Sequence, residues 1–186
     1  MAINWSSFQN RTISFFRNNS NQNRALFSTA NHLTDTYILL LRQISISQVK
    51  GTALVAPPPN QILFRAWNTC LNSNFKKTTP LSAIDYRRVG EAIIGLWSQT
   101  AWRPLPVPPG YVSPTRGYTI NNPGDINTLI QNLSNTLKIQ DPIKLATKLE
   151  NTYKTYFRSI SGSFEGLVPG APSPVLGPPF LWAGLI

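Results

Sequence analysis

The chain has 186 residues, with 17 lysines and arginines against 7 aspartates and glutamates, and a formal net charge of +10. Only 13% of its residues are charged, whereas about 25% is usual for a soluble globular domain. Its one histidine and one cysteine cannot build a Cys₂His₂ or His₃ zinc site, and one cysteine cannot close an intramolecular disulfide. These counts exclude disulfide-stapled secreted domains, and they predict a chain that folds without a metal or cofactor.

The two ends of the chain indicate where it is made. The first residues lack a basic segment followed by an apolar run, so we expect no secretory signal and synthesis in the cytoplasm. The longest uncharged stretch, residues 166–186, is long enough to span a bilayer, but it holds five prolines and four glycines. Because proline and glycine disfavour a helix, this stretch is interpreted as an apolar tail rather than a membrane anchor.

The first part of the chain predicts an arm, a helix and a hairpin. Residues 1–23 are rich in asparagine and aromatic residues, and they predict an N-terminal arm that contains a short helix. From about Arg24 to Arg42, apolar residues recur at steps of three and four, which is typical of a helix with one buried face. The alternation of Ile44-Ser-Ile-Ser then predicts a small β-hairpin near residues 43–56.

Two further helices follow a proline run. The spacing of apolar residues predicts one helix over residues 61–75, with Cys70 inside the buried stripe as a small hydrophobic side chain. Another is expected over residues 82–101, because Ser82 and Asp85 have the spacing of a capping box ahead of an apolar periodic run.

The last predicted helices come after a second proline-rich segment. Residues 103–124 contain six prolines and are expected to form a strap without regular structure. A helix is then predicted over residues 125–137, and another from Asp141-Pro142 to residue 160, where the aspartate is the N-cap and the proline occupies the first turn.

These elements predict a mainly α fold. Four to five helices joined by proline-rich straps form a core over residues 24–160, flanked by extended N- and C-terminal arms at residues 1–23 and 161–186. The spacing of the helices shows no internal repeat.

Catalytic chemistry finds little support in the sequence. Acid–base catalysis needs two carboxylates, or a histidine with a partner, at one place, but the seven acidic residues are scattered. His32 falls on the polar side of its predicted helix and is interpreted as an ordinary surface histidine. The sequence has no phosphate-binding loop, dinucleotide fingerprint or nucleophile elbow. We therefore expect that the protein is not an enzyme and has no catalytic residues.

One helix carries a basic face. With about 100° between successive residues, the last predicted helix places four cations together and its apolar residues opposite. The four are Lys144, Lys148, Lys154 and Arg158. Such a face suits an anionic partner such as nucleic acid, lipid headgroups or an acidic protein surface, and the alternative is a face that is merely solvated.

The apolar tail is the most informative segment. It displays nine large apolar residues, namely Leu167, Val168, Val175, Leu176, Phe180, Leu181, Trp182, Leu185 and Ile186. Left in water they would form an aggregation-prone patch, so they must be covered either by a neighbouring protein or by the chain's own core. Prolines reduce the entropy that an extended arm loses on docking, which favours a partner-binding arm.

The chain combines a basic helical core without catalytic residues with an aromatic N-terminal segment, proline straps and an apolar C-terminal arm. In this combination it resembles minor capsid or cement proteins of large icosahedral double-stranded DNA viruses. The resemblance implies a virion protein that clamps neighbouring subunits together beneath a shell of double jelly-roll capsomers. Its partners would be the major capsid protein and neighbouring minor capsid proteins, with genome or inner-membrane headgroups facing its basic residues. The alternatives are a nucleocapsid-like nucleic-acid-binding protein and a peripheral membrane protein.

Overall fold

Helices make up the larger part of the fold. The computed structural model describes residues 3–18, 22–49, 54–55, 61–76, 83–102 and 107–186. In these ranges the α-helices are α1 (Trp5–Asn18), α2 (Gln22–Leu41), α3 (Gln61–Lys76), α4 (Arg87–Ser98), α5 (Ile126–Thr136) and α6 (Pro142–Arg158). A 3₁₀ helix at Ala83–Tyr86 leads directly into α4. The helices expected from apolar periodicity are present. The one expected over residues 82–101 is the 3₁₀ helix followed by α4, which ends at Ser98, and Ser82 of the predicted capping box lies outside the described residues.

The starts of α5 and α6 follow from local chemistry. The carboxylate of Asp125 accepts a hydrogen bond from the Thr128 amide at 3.0 Å, and that of Asp141 accepts one from the Lys144 amide at 2.7 Å. Each carboxylate thereby satisfies an amide that has no partner within its helix. The expected N-cap at Asp141, with Pro142 in the first turn, is confirmed.

The sheet corrects the mainly α prediction to a mixed α/β fold. The strands are β1 (Leu54–Val55), β2 (Ala101–Trp102), β3 (Ser113–Asn122), β4 (Ser161–Val168), β5 (Val175–Leu176) and β6 (Phe180–Ala183). Strands β1 and β2 form an antiparallel pair. In the larger sheet, which is also antiparallel, β4 pairs with β3 along one edge and with β5 and β6 along the other.

Strand β3 lies inside residues 103–124, for which the sequence predicts an irregular strap. Its proline, Pro114, sits beside a register shift, and Pro123 follows the strand's last residue. A strand at a sheet edge tolerates proline at such places, because the missing amide faces away from the ladder. The proline strap is therefore not confirmed over residues 107–124, and residues 103–106 lie outside the described part of the chain.

The hairpin expected near residues 43–56 is not formed by the described residues, because its two halves pair with other segments. Ile46 forms a bridge with Leu185, and Leu54–Val55 pairs with Ala101–Trp102. The period-two pattern at Ile44 thus marks an extended segment, but its partner is the end of the chain rather than the strand that follows. Residues 50–53 and 56 lie outside the described ranges.

Both terminal segments pack on the core, which corrects the prediction of extended arms. Helix α1 runs antiparallel to α6, since the Trp5 ring lies 6.3 Å from Phe157 and the Phe8 ring lies 5.9 Å from Tyr153. The C-terminal segment adds β5 and β6 to the sheet through β4. The physical reason is burial, because an apolar segment that can reach its own core covers itself there.

Candidate functional site

The first candidate surface is the end of the sheet where β4 pairs with β5. We call it the apolar sheet end, and it consists of Val112, Leu167, Val168, Val175 and Leu176. The side chains of Val112, Val175 and Leu176 are 48%, 52% and 70% exposed, which is unusual for three large apolar residues so close together. This end therefore combines regular backbone pairing with uncovered apolar side chains.

Strand pairing shows how these side chains are arranged. Leu167 is paired with Leu176, and Val168 is paired with Val175. Paired residues point to the same face of a sheet and successive residues to opposite faces, so both faces carry apolar side chains at this end. The amide of Val112 donates to the Leu167 carbonyl at 2.8 Å, which holds Val112 beside the pair on the β3 side.

Two of the predicted partner-binding residues are core residues. The side chains of Trp182 and Leu185 are each only 2% exposed. Trp182 donates from Nε1 to the Ser163 carbonyl at 3.2 Å, and its ring centroid lies 5.7 Å from that of Trp102. A Cβ at position 162 would overlap the Trp182 ring, so the glycine there leaves room for the indole. These two residues anchor the tail to its own chain.

The remaining predicted tail residues lie in different surroundings. Phe180 is half-buried against the core, whereas Leu181 is 73% exposed on the strand β6. Ile186 has an exposed side chain but a fixed backbone, because it exchanges hydrogen bonds with Ser45 at 2.8 and 3.0 Å. The structure thus brings Leu167, Val168, Val175 and Leu176 together and separates them from the other five.

The second candidate surface is the exposed face of α6. Lys144, Lys148 and Arg158 are exposed there, as predicted from helical spacing. Short polar residues occupy the positions between them, namely Thr147, Asn151 and Thr155, and all three are exposed. No acidic side chain lies among these six residues. We call these six residues the α6 face.

Lys154 does not belong to this face. Its ammonium pairs with the carboxylate of Glu150 and lies 5.1 Å from the centroid of the Trp5 ring. Glu150 is buried, and both residues lie on the side of α6 that packs against α1. Lys154 therefore compensates a buried charge and holds α1, and it lies at the edge of the basic face, about 40° beyond Arg158 around the helix axis.

The acidic residues are largely engaged by nearby groups. Arg87 pairs with Glu91 at 3.0 Å, Arg116 pairs with Glu165 at 3.9 Å, and Asp125 and Asp141 cap helices. Nine exposed cations in the described part of the chain have no ion-pair partner, namely Arg11, Arg17, Arg42, Arg65, Arg88, Lys138, Lys144, Lys148 and Arg158. The excess positive charge is therefore carried at the surface.

The interpretation of His32 as an ordinary surface histidine is wrong. Its ring stacks on Phe15 of α1 with centroids 4.2 Å apart and planes within 5°, and its Nε2 is buried without a hydrogen-bond partner. Burial lowers the pKa of His32 from 6.5 to about 4, and the nearby Arg11 guanidinium contributes to the same direction. Local spacing does not indicate this stacking, because Phe15 lies in a different helix.

Burial of His32 should make stability depend on pH. The imidazole is neutral in the folded protein, whereas in the unfolded chain it titrates near pH 6.5. Its contribution to the free energy of unfolding is therefore fully present above pH 6.5 and is lost as the pH falls towards 4. The variant His32→Phe keeps the stacking but cannot titrate. We expect its free energy of unfolding to fall by about 1 to 2 kcal/mol less than that of the parent between pH 7 and pH 5. Urea unfolding at the two pH values measures this difference. The same loss in both proteins would contradict it.

The described residues contain no group of three or more His, Cys, Asp or Glu side chains arranged to hold a metal ion. None of the helices in the described ranges has the length and apolar character needed to cross a membrane. Cys70 is buried, as expected from its place in an apolar stripe. Comparisons of the chain with protein-family models, with characterised proteins and with solved structures give no match.

Proposed function

We propose that the protein is a structural component of a virion, of the minor capsid type, which holds neighbouring capsid proteins together through its apolar sheet end. The observation that carries the proposal is the exposure of Val175 and Leu176, 52% and 70%, on a strand whose backbone is already ordered. An ordered apolar edge binds a neighbour at a smaller entropic cost than a free arm does. The clamp is therefore a preformed surface rather than an extended tail.

The backbone of β5 supports the same function. Among the described strands β5 pairs only with β4, so its other edge is available to a strand of a neighbouring protein. Such strand addition supplies directional hydrogen bonds, while the apolar side chains on both faces supply affinity. Five prolines lie in the tail around this strand, at positions 169, 172, 174, 178 and 179. Prolines beside an edge strand restrict uncontrolled pairing, which confines docking to a short segment.

The test uses a second copy of the chain as the neighbour at high concentration. We expect the parent protein to show a concentration-dependent rise in mass by sedimentation velocity, because the isolated chain leaves the apolar sheet end uncovered. The double variant Val175→Ser with Leu176→Ser should remain monomeric over the same range. Its circular dichroism melt should match that of the parent, since both side chains are largely exposed.

The matched control is Ile84→Ser, because Ile84 is 73% exposed on the 3₁₀ helix, which packs against α4 and α5. This control should associate as the parent does. Association that persists in the double variant, or that disappears equally in the control, would contradict the proposal. A truncation at residue 162 is a poorer test, because it removes Trp182 and Leu185 from the core.

A further inference from the structure

We propose that the α6 face binds the phosphate backbone of double-stranded nucleic acid without reading its sequence. The inference does not depend on the apolar sheet end, and it assigns a partner class to a different surface of the protein. It rests on the charge, the spacing and the chemical character of the side chains that α6 exposes.

The cations of the α6 face form a stripe along the helix. Lys144, Lys148 and Arg158 lie within about 80° of one another around the axis, and they span about 21 Å along it at 1.5 Å per residue. Asn151 and Thr155 lie between them around the axis, and Thr147 lies about 20° beyond Arg158. Hydroxyl and amide groups donate hydrogen bonds to phosphate oxygens, as lysine and arginine do. The stripe therefore presents only groups suited to a phosphate backbone.

Nearby acidic groups do not neutralise the stripe. Within α6 the one acidic residue is Glu150, which is buried and pairs with Lys154. At the start of the helix the carboxylate of Asp141 is engaged as the N-cap. The three cations of the face have no ion-pair partner in the described structure and remain available to a ligand.

The character of the face favours nucleic acid over a membrane. A helix that binds a lipid interface must insert an apolar face, but Leu149, Tyr153 and Phe157 of α6 are already buried in the core. Ile143, an exposed apolar residue of α6, lies about 100° from Lys144 around the axis and so outside the stripe. The face has no aromatic residue on which an unpaired base could stack, which favours a duplex over a single strand.

The test measures binding of a fluorescently labelled 30-base-pair DNA duplex of random sequence by anisotropy at several salt concentrations. The triple variant Lys144→Gln, Lys148→Gln and Arg158→Gln removes three phosphate contacts. The slope of log affinity against log salt should therefore become shallower by about 3, and the affinity at 50 mM salt should fall at least about tenfold. Two duplexes of different sequence should bind the parent equally well.

The matched control removes the same total charge elsewhere, through Arg42→Gln, Arg65→Gln and Arg88→Gln, three exposed cations on α2's end, α3 and α4. This control should keep the slope of the parent. An equal change in both triple variants, or no duplex binding at 50 mM salt, would overturn the proposal. It would also be overturned if the α6 variant lost binding to phosphatidylserine vesicles while its duplex binding stayed unchanged, since that result assigns the face to lipid.

Discussion

Replacing Trp182 with alanine is expected to lower the free energy of unfolding by about 3 to 5 kcal/mol. The indole is 2% exposed, packs against Trp102 and Gly162, and donates a hydrogen bond to the Ser163 carbonyl. Its removal leaves a cavity and takes one of two side-chain donors from the Ser163 carbonyl, in a sheet whose strands β4 and β6 it holds together. The effect should be large because the tail is part of the core.

Urea unfolding followed by circular dichroism measures this change. The control is Leu181→Ala, the preceding residue on β6, which is 73% exposed and should cost less than about 1 kcal/mol. If Trp182→Ala were as stable as the parent, the tail would not be anchored to the core, and the interpretation of residues 161–186 as a free arm would return.

Replacing Lys154 with methionine is expected to lower the free energy of unfolding by about 2 to 3 kcal/mol. Methionine keeps the length and apolar contacts of the lysine stem but removes the cation that pairs with Glu150 and lies over the Trp5 ring. The carboxylate of Glu150 is then left buried without its counter-ion. One of its oxygens already has no hydrogen-bond partner, so nothing nearby compensates for the lost ammonium. The partial exposure of Lys154 keeps the loss below that of a fully buried pair.

A double-mutant cycle separates this loss from a simple loss of packing. Adding Glu150→Gln removes the unpaired charge, so the double variant Glu150→Gln with Lys154→Met should recover more than half of the lost stability. The control Lys148→Met, an exposed cation of the same helix, should change stability by less than about 0.5 kcal/mol. Equal losses for Lys148→Met and Lys154→Met would contradict a specific role for Lys154.

The opposite roles of Lys148 and Lys154 show how far helical spacing can identify a binding face. Helical spacing places Lys154 about 120° from Lys148 around the axis, at the edge of the basic face, but it does not show whether a side chain at that edge is exposed. Only the approach of α1, which brings Trp5 over Lys154, turns one of the two into a structural residue. The proposed anionic-partner surface is therefore limited to Lys144, Lys148 and Arg158 with the exposed polar residues of the α6 face.

The structure also narrows the part of the apolar tail that is available to the proposed clamp. Composition shows that residues 163–186 must be covered, but it does not show by what. The structure divides them, because Trp182 and Leu185 are covered by the chain itself while Val175 and Leu176 are left exposed. The proposed docking surface is thus smaller than the whole tail and is fixed in position by the buried anchors beside it.

The sequence by itself determined the helices and the N-cap of α6. Apolar residues at steps of three and four, with aspartates ahead of α5 and α6, depend only on contacts within a few residues and are therefore visible along the chain. The buried state of Cys70 follows from the same periodicity. The basic balance likewise comes from residue counts alone.

Only the tertiary structure determined which strands pair in the sheet, which residues of the C-terminal tail are buried, and that His32 is stacked and partly buried. Strands β3 and β4 are paired across about 45 residues of sequence, and β3 contains glycine and proline that weaken any local strand signal. His32 is stacked by a residue of another helix, and Trp182 is held by Gly162 and Trp102, which lie far from it in the chain. These features depend on which distant segments pack together. Burial of apolar surface drives that packing, and it leaves no periodic pattern along the chain from which the partners could be predicted.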